Sequence, residues 1–218
     1  MRPVDPLLAR RPHRPPPALT FWDEVRLPYA RVHEVCGRAR RTMALWIARQ
    51  MTGGVFWIAP QRSGAGGMGG ANGLNPDGVA PLIDPGRITF VDPRSVTDLL
   101  WCVEEVLRSG AVPLVVAELP EPPAMTPVRR LHLAAETGAG AGVCQPLGLL
   151  LTPDRGGAAG IETRWSLDPA HPPGRDLWRL ERLRARMLPP KGWWCDGAGL
   201  QAEGAGQSPA LQAVALGG

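Results

Sequence analysis

The stretch VHEVCGRARRTMALWIA, residues 32–48, places a strand pattern, one glycine and an apolar helix pattern in direct succession. Its first five residues have the composition of a buried strand, and residues 43–48 are apolar residues of the kind that fill a buried helix. Gly37 alone provides the turn between the two patterns. The order strand, glycine turn, helix predicts the first unit of an α/β domain.

This unit has the layout of a phosphate-binding loop but lacks its chemical groups. A working loop follows the pattern G-x-x-x-x-G-K-[ST], because successive backbone N–H groups surround the phosphates while the Lys and the hydroxyl reach the outer phosphate and the metal. Here the second Gly and the Lys are absent, and Arg41 and Thr42 stand near their places. The path from Gly37 to the helix is also too short to surround a phosphate. We therefore expect Gly37, Arg41 and Thr42 to be a remnant, with no cofactor and no metal.

Further strand and helix patterns alternate along the chain. Four continuous apolar runs have the length of buried parallel strands: residues 54–59, 87–91, 112–117 and 147–152. Ser95 can cap a helix whose apolar residues share one face and which ends before Gly110. This alternation predicts βαβ units, whereas the strand-like runs from residue 163 onward are separated only by turns and predict antiparallel strands. The predicted fold is a three-layer α/β domain with a mostly parallel central sheet and an antiparallel C-terminal extension.

Composition indicates the extent of the ordered region and the cellular setting. The 218 residues are 44% hydrophobic, enough for one domain with a real core, while 27 Gly and 25 Pro concentrate near the termini and in two internal stretches. We expect a disordered Pro/Arg-rich arm over residues 1–20, one domain over 21–195 and a flexible Gly-rich tail over 196–218. No apolar run is long enough to span a membrane, which predicts a cytoplasmic protein with no membrane partner. The net charge of +4 permits an anionic partner such as DNA without demanding one.

The order of elements and three local strings resemble the RecA-like ATPase core, and more closely its non-catalytic ImuA branch. The strings are HEVCG at 33–37, LRSGAV at 107–112 and RRLHLAA at 129–135. The resemblance implies a RecA-like adaptor in damage-induced, error-prone translesion DNA synthesis, as part of the SOS response. It implies an ImuB-like Y-family polymerase homologue as partner and RecA as a further candidate, with any DNA contact indirect. Two alternatives stay open, namely a SulA-like inhibitor of cell division and a protein that binds DNA directly.

The resemblance also implies that the chain is not an enzyme. Where a RecA-like ATPase places the Glu that activates water, this chain has Pro60, which cannot act as a general base. Glu118 stands at the Walker-B-like position, where it is either a retained acidic group or an ordinary strand-end carboxylate. The loop at residues 153–160 is much shorter than the DNA-binding loop of the recombinases and carries one Arg. We expect neither ATP hydrolysis nor recombinase activity.

The C-terminal third holds the residues for which we predict partner binding. Along a strand over residues 178–186, alternation places Arg182, Arg184 and Arg186 on one side. Trp193 and Trp194 are adjacent, so their rings face opposite ways and one ring can remain exposed. Cations beside aromatic anchors are typical of protein interfaces. The alternative is a solubilising edge strand whose charges prevent pairing with another edge.

Overall fold

The computed structural model describes residues 16–60, 74–173, 176–186, 188–196 and 198–202, and these contain eleven strands and four α-helices. The strands are β1 (Ala18–Phe21), β2 (Val25–Pro28), β3 (Arg31–Cys36), β4 (Val55–Ile58), β5 (Ile88–Val91), β6 (Leu114–Glu118), β7 (Leu147–Leu151), β8 (Thr163–Pro169), β9 (Trp178–Ala185), β10 (Lys191–Cys195) and β11 (Leu200–Ala202). The helices are α1 (Arg40–Arg49), α2 (Pro76–Val79), α3 (Val96–Ser109) and α4 (Met125–Ala141), with a short 3-10 turn at Pro85–Arg87. Within the described part of the chain, no helix has both the length and the apolar character needed to cross a membrane.

Nine of the strands form one sheet in the order β11-β10-β9-β8-β3-β7-β6-β4-β5. Neighbours from β8 to β5 are all parallel, and β9, β10 and β11 each run antiparallel to the strand before. β4 pairs in parallel with β6, from Val55↔Leu114 to Ile58↔Ala117, as predicted for residues 54–59 and 112–117. The prediction of an α/β domain with a mostly parallel sheet and an antiparallel C-terminal extension is confirmed.

The antiparallel extension begins one strand later than predicted. The sequence predicts antiparallel pairing from residue 163, but β8 runs parallel to β3. Residues 152–162 connect β7 to β8 across β3 without forming a helix, and the N–H of Glu162 donates to the Val32 carbonyl at 3.1 Å. A crossover without a helix needs other partners for its backbone groups. The buried carboxylate of Glu34, described below, supplies several of them.

Two buried apolar clusters lie on opposite faces of the sheet and make the domain three layers deep. One cluster packs α1 and the β1–β2 hairpin against the sheet and includes Trp46, Trp57 and Trp165. All six residues of 43–48 in α1 are buried, as their apolar character predicts. The other cluster packs α3 and α4 against the opposite face and includes Leu99 and Leu131.

The structured region extends beyond both predicted boundaries. β1 begins at Ala18, inside the predicted arm, because Leu19 and Phe21 are buried in the cluster on the α1 side. β11 pairs with β10 inside the predicted tail. The rest of the predicted arm, up to residue 15, and of the tail, from residue 203, lies outside the described residues.

Candidate functional site

The turn between β3 and α1 directs its backbone N–H groups to acceptors inside the protein. The N–H groups of residues 37–40 donate, in order, to the Asp154 carbonyl (2.9 Å), the Asp168 carboxylate (2.9 Å), the Leu167 carbonyl (2.9 Å) and the Gly37 carbonyl (3.4 Å). In a phosphate-binding loop such donors point at the ligand. Here all four have protein partners, so the turn presents no cradle of N–H groups.

Gly37 is required by packing against β8. Its φ is +85°, in the left-handed region that favours glycine, and a Cβ at this position would lie 2.5 Å from the Leu167 carbonyl oxygen. The glycine that the sequence assigns to a phosphate-loop remnant therefore allows the turn to lie against the end of β8.

Arg41 and Glu118 form an ion pair with each other. Arg41 Nη2 lies 2.6 Å from Glu118 Oε2, and Trp57 Nε1 donates to Glu118 Oε1 at 2.8 Å. The helix dipole disfavours cations at the start of α1, and this carboxylate compensates for one of them. Both oxygens of the Walker-B-like Glu118 thus accept hydrogen bonds from the protein and join α1, β4 and β6.

A small pocket lies beside this ion pair, at the carboxyl ends of β4 and β6. Its volume is about 180 Å³, and Arg40, Arg41, Pro60 and Glu118 are among its lining residues. This edge of a parallel sheet is where α/β proteins bind ligands, but small-molecule sites typically have roughly 300–1,000 Å³. Thr42 is half-buried in the first turn of α1. Across the described ranges, no group of three or more His, Cys, Asp or Glu side chains could hold a metal ion.

Glu34 is a residue of this region whose role the sequence patterns do not predict. Its fully buried carboxylate accepts hydrogen bonds from the Thr152 hydroxyl (2.7 Å), the N–H groups of Gly157 (2.8 Å) and Ala158 (3.1 Å), and Arg164 Nε. These bonds fasten residues 153–160, the loop compared above with a DNA-binding loop, across β3. The available signal is a carboxylate inside an otherwise apolar strand, since an unpaired buried charge is costly.

Comparison with known proteins identifies the family. No family model matches the chain. Two relatives are both named Protein ImuA, from Caulobacter vibrioides strain NA1000 / CB15N and strain ATCC 19089 / CIP 103742 / CB 15; each is 30% identical over 211 residues, covering 86% of this chain and 77% of the relative. The chain belongs to the ImuA family. Among solved structures, that of SulA from Pseudomonas aeruginosa is 21% identical and covers 58% of this chain and 100% of its own, with a TM-score of 0.44.

The predicted partner-binding residues of this ImuA-family chain do not lie on one surface. Arg182 is 3% exposed, and its guanidinium lies 5.2 Å from the centre of the Trp193 ring and 5.8 Å from that of Trp165. Its Nε donates to the Pro189 carbonyl at 3.1 Å. Trp193 is also buried, so both residues belong to the packing of the sheet on its α1 side. The prediction that Arg182 and Trp193 present a surface to a partner is wrong.

A one-residue register shift separates Arg182 from Arg184. Trp165 pairs with Arg182 and Arg164 with Arg184, which leaves Leu183 as an extra residue in β9. Such a bulge reverses the alternation of side chains, so Arg182 and Arg184 face opposite ways. The prediction that these arginines share one side is therefore wrong. The edge-strand alternative is wrong too, because β9 lies between β8 and β10.

Trp194, Arg184 and Arg186 remain at the surface. The Trp194 ring is half-buried and lies 5.1 Å from the Arg179 guanidinium, on the face opposite Trp193. The expectation that the two adjacent Trp rings face opposite ways is confirmed. Arg184 and Arg186 are exposed. Three of the five predicted residues are thus accessible to a partner.

Proposed function

We propose that this ImuA-family chain is a non-catalytic adaptor in damage-induced, error-prone translesion DNA synthesis, built on a RecA-like domain. Membership of the family supports the link to damage-induced mutagenesis. The succession of strand, glycine turn and helix, with Glu118 at the end of the third predicted strand, supports a RecA-like origin. This function requires a cytoplasmic location, as the sequence predicts.

The observation that carries the non-catalytic part is the set of four backbone hydrogen bonds at residues 37–40. A nucleotide phosphate would have to break them to reach the N–H groups. At roughly 1 kcal/mol for each bond, this would weaken phosphate binding about a thousandfold relative to a preformed loop. The missing Lys and the missing general base add to this deficit. ATP hydrolysis is therefore not expected.

Isothermal titration with ATP and Mg²⁺ tests this part of the proposal. We expect no saturable heat from the wild-type chain and no change on Arg41→Ala substitution. Phosphate release measured with the same preparation should equal that of a buffer blank. Tight, Mg²⁺-dependent ATP binding that Arg41→Ala weakens would contradict the proposal and restore the ATPase hypothesis.

For the adaptor part, we propose an ImuB-like Y-family polymerase homologue as direct partner and RecA as a second candidate. The accessible residues that would contact it are Trp194, Arg184 and Arg186. Trp194 combines a half-exposed aromatic ring with the adjacent cation of Arg179, a composition typical of interface hot spots. Any DNA contact would then pass through the partner.

Surface variants test this placement better than truncation, because removing β10 also removes the buried ring of Trp193. We expect Trp194→Ala to weaken binding of the ImuB-like partner at least about tenfold, as for an aromatic hot spot, in a surface-immobilised binding assay. The matched control is Trp101→Ala on α3, whose ring is 59% exposed. Weaker binding in the Trp101 variant with unchanged binding in the Trp194 variant would place the interface on the helical layer instead.

Direct DNA binding has less support than the adaptor function. Arg182, part of the predicted basic stripe, is buried between two Trp rings, and Glu34 fastens the loop at residues 153–160. A direct DNA binder would show affinity that falls steeply with salt. A SulA-like inhibitor would instead bind a cytoskeletal GTPase, so the same binding assay with that target separates the two classes.

A further inference from the structure

A groove lies between the first turns of α3 and α4, on the outer surface of the layer that these two helices form. The helices touch at their other ends, where a Cβ at Gly138 would collide with the Leu107 carbonyl oxygen. The N–H groups of Val143 and Cys144 also donate to the Gly110 carbonyl there, each at 3.0 Å. Toward their beginnings the helices leave a groove of about 300 Å³ between them. Two packed helices thus fix its shape.

Exposed apolar side chains are concentrated on these two helices. The walls of the groove include Leu100 and Trp101 of α3 and Pro127 and Leu131 of α4. Seven large hydrophobic side chains are exposed among the described residues, and four of them lie on α3 and α4, namely Val96, Trp101, Met125 and Leu133. Such a concentration on the surface of a soluble domain is typical of an interaction site.

The charged residues at the groove neutralise one another. Glu104 is buried and pairs with Arg130 of α4, Oε2 to Nη2 at 2.7 Å, and with Arg108. Arg108 also pairs with Glu105. These two carboxylates and two guanidiniums leave no net charge, so the groove has no excess charge that would attract DNA or a strongly charged peptide. The groove therefore offers mainly apolar area to an occupant.

One charge of each sign lies outside this network, on either side of the groove. Asp98 of α3 is exposed and accepts a hydrogen bond from the Ser95 hydroxyl at 2.8 Å. Arg129 of α4 is exposed as well. Within the part of the chain that the structure describes, neither residue has an ion-pair partner, and neither lines the groove. The surface thus has an acidic flank on α3 and a basic flank on α4.

We propose that a second copy of this chain covers the groove, in a two-fold symmetric contact between the two α3–α4 surfaces. With the two-fold axis along the groove, α3 of one copy lies over α4 of the other. The Trp101 ring of each copy then packs on the partner's α4, and Asp98 of each copy faces Arg129 of the other. A basic surface would repel its own copy, whereas this one is neutral and complementary to itself in a chain of net charge +4.

The size of the surface predicts a weak dimer. At about 1.5 Å per residue, α3 with 14 residues and α4 with 17 residues are about 21 and 25 Å long, and two adjacent helices are roughly 20 Å wide. Each copy therefore contributes roughly 500 Å², and the total of roughly 1,000 Å² is the lower limit for a specific interface. We expect a dimer Kd of about 10–100 µM.

This self-association goes beyond the proposed function and does not depend on it. Below about 1 µM the chain should be monomeric. At such concentrations Trp101→Ala stays a valid control for Trp194→Ala in the partner-binding assay. The two surfaces are separate, because Trp194 lies on β10.

The first test is sedimentation equilibrium of the full chain from about 1 to 500 µM. The average mass should rise with concentration from 23.3 kDa toward twice that value. We expect Trp101→Ala to raise the dimer Kd at least about tenfold, as for an aromatic hot spot. The matched control is Phe90→Ala, an exposed ring on β5, which should leave the Kd unchanged. A wild type that is monomeric throughout, or equal Kd values in the wild type and the Trp101 variant, would overturn the inference.

A charge-reversal pair tests the arrangement of the two copies independently of folding. Arg129→Glu places a carboxylate opposite Asp98 of the other copy, and the two-fold axis repeats this repulsion, so the dimer Kd should rise about tenfold. Adding Asp98→Lys restores two ion pairs of reversed polarity and should return the Kd to within about threefold of the wild type. A destabilised helix cannot produce such a rescue. Weaker association in the double variant than in Arg129→Glu alone would overturn the inference.

The other candidate for the groove is the ImuB-like partner. Its binding is measured below about 1 µM of the chain, where the chain should be monomeric. Unchanged binding in the Arg129→Glu variant, together with weaker self-association, supports the inference. A wild type that stays monomeric at high concentration but loses the ImuB-like partner on Trp101→Ala substitution overturns it, because the groove then belongs to that partner.

Discussion

Because the ring of His33 is buried, we expect the folded chain to lose stability in mild acid. Its ring is fully buried in β3, with Nε2 2.9 Å from the Pro28 carbonyl and Nδ1 2.8 Å from Thr163 Oγ1. Because a carbonyl only accepts, Nε2 carries the hydrogen and Nδ1 accepts from the Thr163 hydroxyl. Trp165 Nε1 donates to the same hydroxyl oxygen at 3.0 Å. The neutral ring is thus fully hydrogen-bonded, and protonation would place a charge in a fully buried site and require the Thr163 hydroxyl to turn and accept from Nδ1.

The size of the effect follows from the pKa of this ring. Burial lowers the pKa of His33 from 6.5 to about 4. The nearby charges of His132 and Arg31 also lower this pKa, whereas the hydrogen bond to the Pro28 carbonyl raises it. The folded state therefore binds the proton more weakly than the unfolded state. The stabilisation is complete above the unfolded pKa of about 6.5 and is lost as the pH falls toward about 4, and its full size is about 3 kcal/mol.

The perturbation is His33→Gln, whose amide NH₂ can still donate to the Pro28 carbonyl but does not titrate. Urea unfolding is measured for both proteins at several values from pH 7.5 to 4.5. We expect the stability of the wild type to fall relative to the variant by up to about 3 kcal/mol over this range, whatever their difference at pH 7.5. His132, whose pKa burial also lowers, is present in both proteins, so the contribution of its own burial is common to both. A difference in stability that is constant with pH would refute the reasoning.

Two further predictions concern the turn and the loop at the carboxyl edge of the sheet. Glu34→Gln should lower the free energy of unfolding, measured in urea, by about 3 kcal/mol, because it leaves the Arg164 cation without its buried partner. The control Glu181→Gln breaks a pair at 3.4 Å with the exposed Arg155 and should lower the free energy of unfolding by less than about 1 kcal/mol. Equal costs would contradict the role given to the buried carboxylate. Gly37→Ala should lower the free energy of unfolding by about 2 kcal/mol or more. In the control Gly140→Ala, the added Cβ meets nothing within 4 Å, so the free energy of unfolding should stay unchanged or rise by up to about 1 kcal/mol. A neutral Gly37→Ala substitution would show that the turn does not need its left-handed conformation.

Local patterns predicted most of the parallel core, because its strands and helices are marked by adjacent residues. Ser95 caps α3 as predicted, since its Oγ accepts from the Asp98 N–H at 3.1 Å, and Gly110 ends the helix with φ of +58°. The apolar runs became β4, β5, β6 and β7. Such features depend on hydrogen bonds and burial within a few residues, so one sequence contains enough information to place them.

The features that the sequence did not predict depend on contacts between distant residues. The β1–β2 hairpin lies next to a proline-rich stretch, and its burial depends on packing against α1. The sequence alternates regularly on both sides of Leu183, so it does not reveal that this residue forms a bulge. The bulge nevertheless decides which of the C-terminal arginines is accessible. Burial of Arg182 likewise depends on Trp165 and Trp193, 17 and 11 positions away along the chain.

The turn at residues 37–40 and the loop at residues 153–160 share one network of hydrogen bonds. The Gly37 N–H donates to the carbonyl of Asp154, which lies in the same loop that the Glu34 carboxylate holds through Gly157 and Ala158. A phosphate at the turn would therefore have to displace the loop, and a mobile DNA-binding loop would have to release the turn. A phosphate at Gly37 and a longer loop at residues 153–160 would thus each have to break hydrogen bonds of this one set.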